Sequence, residues 1–275
     1  MAAPAFDKDL VKDPRVWRMT MRVGRGALHV ILYSTVEDNS LIYREISLDP
    51  NASTPLKALE EAVYDNPLLL SDFDKVYCIV ETSVGYPIPS PIDNNEVIEK
   101  MIQTTDPEFD GEIIVNDINC RNARIAMGVE KDMAAFLHRT FFNISIYHHL
   151  TPLCRYFLGK HNRGNSRRMY ANLRQGALDL LAFDNRRMLL ANTFKFSHIN
   201  DTVYYILATQ QSLGIDPANN EIMLAGDTVL REELTPVLRK YIGYVLPVIF
   251  PSSMFRAGKD SMRAPFDLIV LPLCE

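Results

Sequence analysis

The chain has 275 residues, enough for one large domain or two of medium size. Its hydrophobic content of 47% and charged content of 23% are ordinary for a globular protein, and its net charge of −5 argues against a nucleic-acid partner. The sequence contains no apolar run near the ~20 residues of a membrane span and no signal-peptide pattern, so we expect no membrane insertion. Four cysteines without metal-type spacing are typical of free thiols, which predicts a cytoplasmic protein.

The N-terminal region reads as a strand-rich unit followed by a helix. Three strands are predicted, at 15–23, 27–34 and 41–48, and turn-forming glycines and an Asp-Asn pair lie between them. Thr54 and Pro55 form a helix start, because a hydroxyl cap is followed by a proline whose missing N–H costs nothing there. A fourth strand is predicted at Lys75–Glu81.

The next segment mixes loops, strands and helices. Proline interrupts Ser83–Pro91, which is therefore predicted to be a loop that either recognises a ligand or only connects. Further strands are expected at 112–118, 123–129 and 143–147, and further helices at 94–103 and 133–141. Thr151 and Pro152 repeat the cap-plus-proline pattern and predict a helix to about residue 158. The polar, glycine-rich residues 159–166 are the best domain boundary.

The C-terminal region begins with three strands inside Arg167–Phe194. A helix ending at Gly214 and a strand at Glu221–Ala225 are expected to follow. Apolar residues at helical spacing, from Leu230 to Tyr241, predict another helix. Pro236 lies inside it, so this helix either kinks there or restarts with Thr235 as its cap. Two apolar strands, at 244–250 and 266–271, are expected to close the chain.

The two regions repeat each other. Gly26-Ala27-Leu28 corresponds to Gly176-Ala177-Leu178, and Asp38-Asn39 corresponds to Asp184-Asn185. Each half begins with three strands, a helix and a strand, which favours two copies of one α/β unit over one continuous sheet. We therefore predict an N-terminal domain at 1–162 and a C-terminal domain at 163–275.

This order of elements resembles the ribonuclease-H-like unit that occurs twice in the superfamily of actin, sugar kinases and heat-shock chaperones. More narrowly, the chain resembles an uncharacterised bacterial family with this actin-like ATPase fold. The likeness rests on NLRQGALDLLAFDNRRMLLANTF, on NEIMLAGD and on the region around ISIYHHLTPL. None of these stretches is catalytic. The resemblance implies two tandem ribonuclease-H-like domains of α/β (α+β) class.

The superfamily's ATPases carry an Asp and a run of glycines in the first turn of each half, where backbone N–H groups cradle the phosphates. In the second half of this chain, Asn172 stands where that Asp would be, and Arg174 and Gln175 replace two glycines. Gly176 is retained, and Asp179 matches a later acidic position. The second phosphate turn is therefore degraded.

The first half departs further, because Arg22, Arg25 and Gly26 occupy its turn without any acidic residue. A side chain at Arg25 or Gln175 would fill space that the phosphates need. The adenosine-side motif keeps only one glycine, Gly226, followed by Asp227. The resemblance thus implies a remnant cleft site formed by Arg25, Gly26, Asn172, Gln175, Gly176, Asp179, Gly226 and Asp227.

These changes predict a protein that has lost ATPase activity and acts as a scaffold for an unknown protein partner or for self-association. No catalytic residue, metal or cofactor is expected. The alternative is a divergent nucleotide-binding protein or kinase that uses ATP and Mg²⁺ in an atypical cleft between the domains. The scaffold predicts a cleft filled by side chains, whereas the alternative predicts ordered nucleotide in it.

Other candidate sites carry weaker signals. His148 and His149 should point to opposite faces of a strand, which argues against a joint metal site with His138. Asp106, Asp110 and Asp117 lack the spacing of a calcium loop, so a solvated loop is expected. Two basic clusters either bind an anionic partner or lie solvated at a hinge and a hairpin tip. They consist of Arg163, Arg167 and Arg168, and of Arg186 and Arg187.

Overall fold

The computed structural model describes residues 6, 10–24, 26–38, 40–160, 167–250 and 263–274. In chain order the strands are β1 (Trp17–Val23), β2 (Ala27–Ser34), β3 (Ile42–Ser47), β4 (Lys75–Val80), β5 (Gly85–Pro89), β6 (Gly111–Asn116), β7 (Ala123–Glu130), β8 (Ile144–His148), β9 (Arg168–Arg174), β10 (Ala177–Asp184), β11 (Arg187–Lys195), β12 (Glu221–Gly226) and β13 (Tyr244–Pro247). The helices are α1 (Pro55–Tyr64), α2 (Asn95–Thr105), α3 (Lys131–Thr140), α4 (Leu150–Lys160), α5 (Ile199–Ser212), α6 (Thr228–Leu238) and α7 (Phe266–Val270). Short 3₁₀ turns lie at Pro14–Val16, Pro67–Leu70 and Leu271–Leu273.

Two five-stranded sheets share one topology. The first has the order β3-β2-β1-β4-β8 and the second the order β11-β10-β9-β12-β13. In each, three antiparallel strands form a meander, and two further strands add in parallel beside the first strand of the meander. The predicted α/β class and the predicted duplication are confirmed. The boundary at 162/163 falls outside the described residues and stays a prediction.

Each five-stranded sheet is covered on both faces. On the first sheet, α1 and α3 pack against one face, while the leucine- and isoleucine-rich α7 packs against the other. On the second sheet, α5 and α6 cover one face, and α4 covers the other through Leu153 and Phe157. Helix α4 therefore leaves the first sheet to pack on the second, and α7 returns from the second to the first. This exchange ties the two halves together.

The third sheet, of order β5-β7-β6, is inserted between β4 and α3. Its apolar side chains pack with Ile98 and Ile102 of α2. The expectation that Ser83–Pro91 is a proline-broken loop is wrong, because β5 lies within it. Strand β5 is at the edge of the sheet, where Pro87 and Pro89 need not donate to a second neighbour.

Three other predictions about elements are also wrong. The stretch 266–271 begins with helix α7 instead of a strand, since a short apolar run buried on all sides has no diagnostic periodicity. Helix α4 begins at Leu150, so Thr151 is not its cap; its hydroxyl donates to Asn116 Oδ1 at 2.9 Å. Helix α6 continues through Pro236 without restarting, and β13 ends at Pro247 instead of residue 250. None of the described helices has the length and apolarity needed to cross a membrane.

Candidate functional site

The two halves meet where the β1–β2 hairpin faces the β9–β10 hairpin. Arg22 of β1 and Arg174 of β9 both reach the carboxylate of Glu81, which directly follows β4. Arg22 Nη2 lies 3.0 Å from Glu81 Oε2, and Arg174 Nη1 lies 2.8 Å from Glu81 Oε1. One carboxylate therefore bridges two guanidinium groups that come from opposite halves. The Arg22 side chain is only 5% exposed and that of Arg174 only 12%.

Asp179 of β10 is the most heavily bonded acid of the site. Its fully buried carboxylate accepts from Asn172 Nδ2 at 2.9 Å and from Arg174 Nε and Nη2 at 2.8 and 2.7 Å. The Thr193 hydroxyl donates to it at 2.8 Å, and His149 Nε2 lies 3.5 Å away. Such charge-assisted, partly bidentate bonds are the strong class of hydrogen bond. They fix the Arg174 side chain inside the cleft.

A third acid enters from the C-terminal helix. Arg22 Nε donates to Asp267 Oδ2 of α7 at 2.8 Å, and Asp267 is fully buried. Two arginines thus face three acidic side chains. We refer to these eight residues as the cleft network: Arg22, Glu81, His149, Asn172, Arg174, Asp179, Thr193 and Asp267.

The pKa values in the cleft network follow from burial opposed by pairing. Burial alone would raise the pKa of Asp179, but the Arg174 charge and its hydrogen bonds lower it well below the ordinary value. The pKa of Glu81 is also lowered, because the Arg174 and Arg22 charges outweigh its burial. The carboxylates in turn raise the pKa of both arginines in spite of their burial. All four groups are therefore charged near neutral pH.

The adjacent histidines do not point to opposite faces, contrary to the sequence-based expectation. Strand β8 ends at His148, and the two rings lie 4.1 Å apart at 38°. His149 joins the cleft network through the Thr193 hydroxyl at 2.8 Å. His148 is buried against Gly85, and this burial, followed by the His149 charge, lowers its pKa well below the ordinary value. His138 lies elsewhere and meets Glu112 at 3.2 Å.

The structure brings only some of the predicted site residues together. Asn172 and Asp179 belong to the cleft network. Beside it, Gln175 Nε2 donates to Asp227 Oδ2 at 3.2 Å, and Asp227 caps α6 through the Leu230 N–H. Arg25 lies outside the described residues. That these side chains form the remnant of a nucleotide site stays a prediction.

The three predicted glycines have different structural roles. Gly176 has φ +69° in the β9–β10 turn, where a left-handed backbone favours glycine. Gly226 has φ +86°, and a Cβ there would overlap the carbonyl oxygen of Leu173 on β9. Gly26 is exposed in open space. The close approach of β12 to β9 thus explains Gly226 without any nucleotide.

Six members of the cleft network were not predicted as site residues. Arg22 and Arg174 were placed at the phosphate turns but not assigned to the site, and the other four are Glu81, His149, Thr193 and Asp267. Glu81 and His149 each directly follow a parallel strand, and the carboxyl ends of parallel strands meet at one edge of a sheet. Asp267 is a lone acid in an apolar run, which is typical of a buried, paired charge. These two signals were available in the sequence, whereas Thr193 has none. No described group of three or more histidine, cysteine or acidic side chains is arranged to hold a metal ion.

A second contact joins the halves outside the cleft network. The β6–β7 turn docks on the β10–β11 hairpin, where Asn122 Oδ1 accepts from Met188 N at 2.9 Å and Asn122 Nδ2 donates to Met188 O at 3.0 Å. The Arg121 N–H donates to Arg186 O at 3.2 Å. Together, these contacts and the cleft network hold the inserted third sheet and the first half against the second.

Solved structures share this architecture. A Bacteroides thetaiotaomicron protein described as having an actin-like ATPase fold and unknown function aligns with a TM-score of 0.79 and 22% identity, over 95% of this chain and 97% of that chain. The PilM–PilN type IV pilus biogenesis complex aligns with a TM-score of 0.54 and 13% identity, over 95% and 98%. The chain thus has the actin-like ATPase fold that the resemblance implied.

A family model identifies the chain more closely. The model described as "Protein of unknown function (DUF3822)" matches residues 12–245, and the chain belongs to that family. No curated protein matches it. The expected membership in an uncharacterised family of actin-like fold is confirmed.

Proposed function

We propose that this protein is a non-catalytic scaffold of actin-like fold that binds a protein partner, or a second copy of itself, without nucleotide. The cleft network is the observation that carries this proposal. Two arginines from the facing hairpins are buried there and bound to the protein's own carboxylates. Bonds within the chain thus join the two halves beside the turns that, by the resemblance, correspond to the phosphate turns of the fold's ATPases.

Charge and space both argue against a bound Mg-triphosphate. A triphosphate would have to displace Glu81 and then lie close to the buried carboxylates of Asp179 and Asp267, which would repel it. The turn that would supply backbone N–H groups carries Arg174 and Gln175 in place of glycines. The residues present therefore do not fit Mg-ATP.

Two further observations support a partner-binding role in a reducing compartment. A protein of similar fold occurs in the PilM–PilN complex, which is an assembly of two proteins. Cys78, Cys120, Cys154 and Cys274 form no disulfide in this structure, as suits the cytoplasm. A protein partner or self-association, with no nucleic acid, remains the expected interaction.

Calorimetric titration with Mg-ATP, paired with a phosphate-release assay, tests the loss of nucleotide function. We expect neither saturable heat at concentrations up to about 1 mM nor Mg²⁺-dependent release, because the cleft network occupies the site. Gln175→Ala, at an exposed turn beside the network, is the matched variant and should behave like the wild type. Saturable binding or turnover that this variant reduces would contradict the proposal.

One observation favours a second candidate, a divergent nucleotide-binding protein. Glu81 bridges both arginines, as a phosphate group would, and its side chain is 22% exposed. If Glu81 is an internal competitor, Glu81→Gln should raise the affinity for Mg-ATP, since the neutral amide binds guanidinium groups more weakly. If the protein is a scaffold, Mg-ATP should bind neither the variant nor the wild type.

A further inference from the structure

A groove lies at the end of the first sheet opposite the cleft network, where β1, β4 and β8 begin. Its volume is about 460 Å³. Buried Phe73, Val76 and Phe141 line it, and Leu70 and Phe142 lie exposed beside them. Phe142 is 88% exposed and Leu70 42%. Two large apolar side chains next to an apolar recess are typical of a site that a partner covers.

Phe142 is exposed because it lies in a turn that hydrogen bonds hold in place. Asn143, the next residue, has φ +55°, a left-handed conformation that Asn tolerates. Its side chain is bonded on both sides, because Lys75 Nζ donates to Asn143 Oδ1 at 2.9 Å and Asn143 Nδ2 donates to Asp74 O at 3.4 Å. These bonds to the start of β4 fix the turn while Phe141 packs inward. The Phe142 ring is thereby presented to solvent on a rigid support.

The charge of the groove is negative at one side. Asp74 is paired with Arg18 at 3.0 Å, and Arg15 is bound to Asp13 at 2.9 Å. Asp72 is exposed and makes no ion pair within 4.0 Å with any residue that the structure describes. The Arg15 guanidinium acts on Asp72 only from a longer distance. Asp72 is therefore the charged side chain of the lining that has no direct ion pair, and its carboxylate complements a cation.

We propose that this groove binds an extended segment of a partner protein that carries a large apolar side chain next to a lysine or arginine. The apolar side chain would pack between Leu70 and Phe142, and the cation would pair with Asp72. This inference rests on the proposed scaffold role, but different experiments would contradict the groove and the scaffold role. Nucleotide binding tests the cleft, whereas peptide binding tests the groove.

Trp17 provides a reporter for the test. It is the chain's only tryptophan, and its carbonyl accepts from Asp74 N, at the wall of the groove, at 2.9 Å. The probe is the peptide acetyl-Ala-Arg-Leu-Phe-Arg-Ala-amide, titrated while the Trp17 emission is followed. A control peptide has glutamates in place of both arginines and keeps the apolar residues. Phe142→Ala and Asp72→Asn are the test variants, and Val97→Ala and Glu99→Gln, on the exposed face of α2, are their controls.

We expect saturable binding of the basic peptide, about tenfold weaker binding of the acidic one, and a loss of about tenfold in each test variant. The control variants should bind like the wild type. No saturation by about 1 mM, equal binding of both peptides, or full binding by Phe142→Ala would overturn the proposal. A dimer in sedimentation that Phe142→Ala dissociates would assign the groove to a second copy of the chain and would also overturn it.

Discussion

At the scale of single residues, Asp179 is the acid of the cleft network whose carboxylate accepts the most hydrogen bonds. Its buried carboxylate balances Arg174 and accepts from Asn172 and Thr193. Removing one partner of a buried ion pair leaves an uncompensated charge, which costs far more than the pair contributes. We expect Asp179→Asn to lower the free energy of unfolding by about 3 kcal/mol, measured by urea denaturation.

Asp184→Asn is the matched control for that change, because Asp184 forms an exposed ion pair with Arg167 at 3.4 Å. Exposed pairs are screened by water, so its loss should cost less than about 1 kcal/mol. Similar costs for the two variants would mean that the cleft network is solvated and contributes no more than surface charges. That result would remove its role in closing the cleft.

His148 predicts a pH dependence of stability. Its folded-state pKa is lowered, by burial and then by the His149 charge, although Asp179 opposes the shift. Below a pH of about 6.5 the unfolded state therefore binds a proton that the folded state does not, and stability falls as pH decreases, by up to about 1.4 kcal/mol per pH unit. Asp179 and Glu81, with lowered pKa values, extend this loss below about pH 4.

Urea denaturation at pH 7, 6 and 5 measures this dependence, with His148→Asn as the comparison. The difference in unfolding free energy between wild type and variant should change with pH between 6.5 and 5, since only the wild type carries this histidine. Parallel pH profiles for the two proteins would show that His148 takes up its proton equally well in the folded state.

At the scale of elements, Gly226 and Gly26 can be compared to test whether a glycine is required by the local backbone. Both belong to predicted motifs, but only Gly226 is sterically constrained. We expect Gly226→Ala to lower the free energy of unfolding by at least about 2 kcal/mol, because φ +86° is strained for alanine and the Cβ would overlap β9. Gly26→Ala should stay within about 0.5 kcal/mol, since it has open space. Thermal unfolding of both variants is the measurement. Equal effects would contradict the structural explanation of Gly226.

Elements that have a regular apolar periodicity or turn-forming residues at their ends could be predicted from the sequence. The β9–β10–β11 meander is an example, because tight turns at Gly176 and Asn185 separate its three strands. Helix α7 could not be predicted in this way, since its five residues are apolar or buried on every side and tertiary packing against the first sheet decides its conformation. Strand β5 was missed because its prolines are tolerated only at a sheet edge, which depends on neighbours distant in sequence.

At the scale of the whole molecule, the duplication explains why the site combines residues from the entire chain. Arg22 and Arg174 occupy equivalent strands of the two halves, and the sequence placed both at the phosphate turns. Their partners could not be predicted by spacing, because Arg22 is separated from Asp267 by 245 positions. His149 reaches the cleft because it directly follows β8, and Asp267 reaches it because α7 returns to the first sheet.

Contacts within the chain connect the two halves across the cleft. In the actin-like ATPases that the fold resembles, the phosphates lie between the two halves. Here, ion pairs across the cleft and the docking of the β6–β7 turn on the β10–β11 hairpin connect the halves through the chain's own residues. The proposed groove lies at the other end of the first sheet, so the proposed partner site and the cleft network are separate.

Thermal unfolding with and without about 1 mM Mg-ATP tests the closed cleft most directly. Because the cleft network already occupies the site, we predict a shift in Tm below about 1 °C. A site with a dissociation constant near 10 µM would stabilise the folded state by about 2.7 kcal/mol and raise the Tm by roughly 5–10 °C. A shift of that size would contradict a cleft closed by side chains and would identify a nucleotide-binding protein.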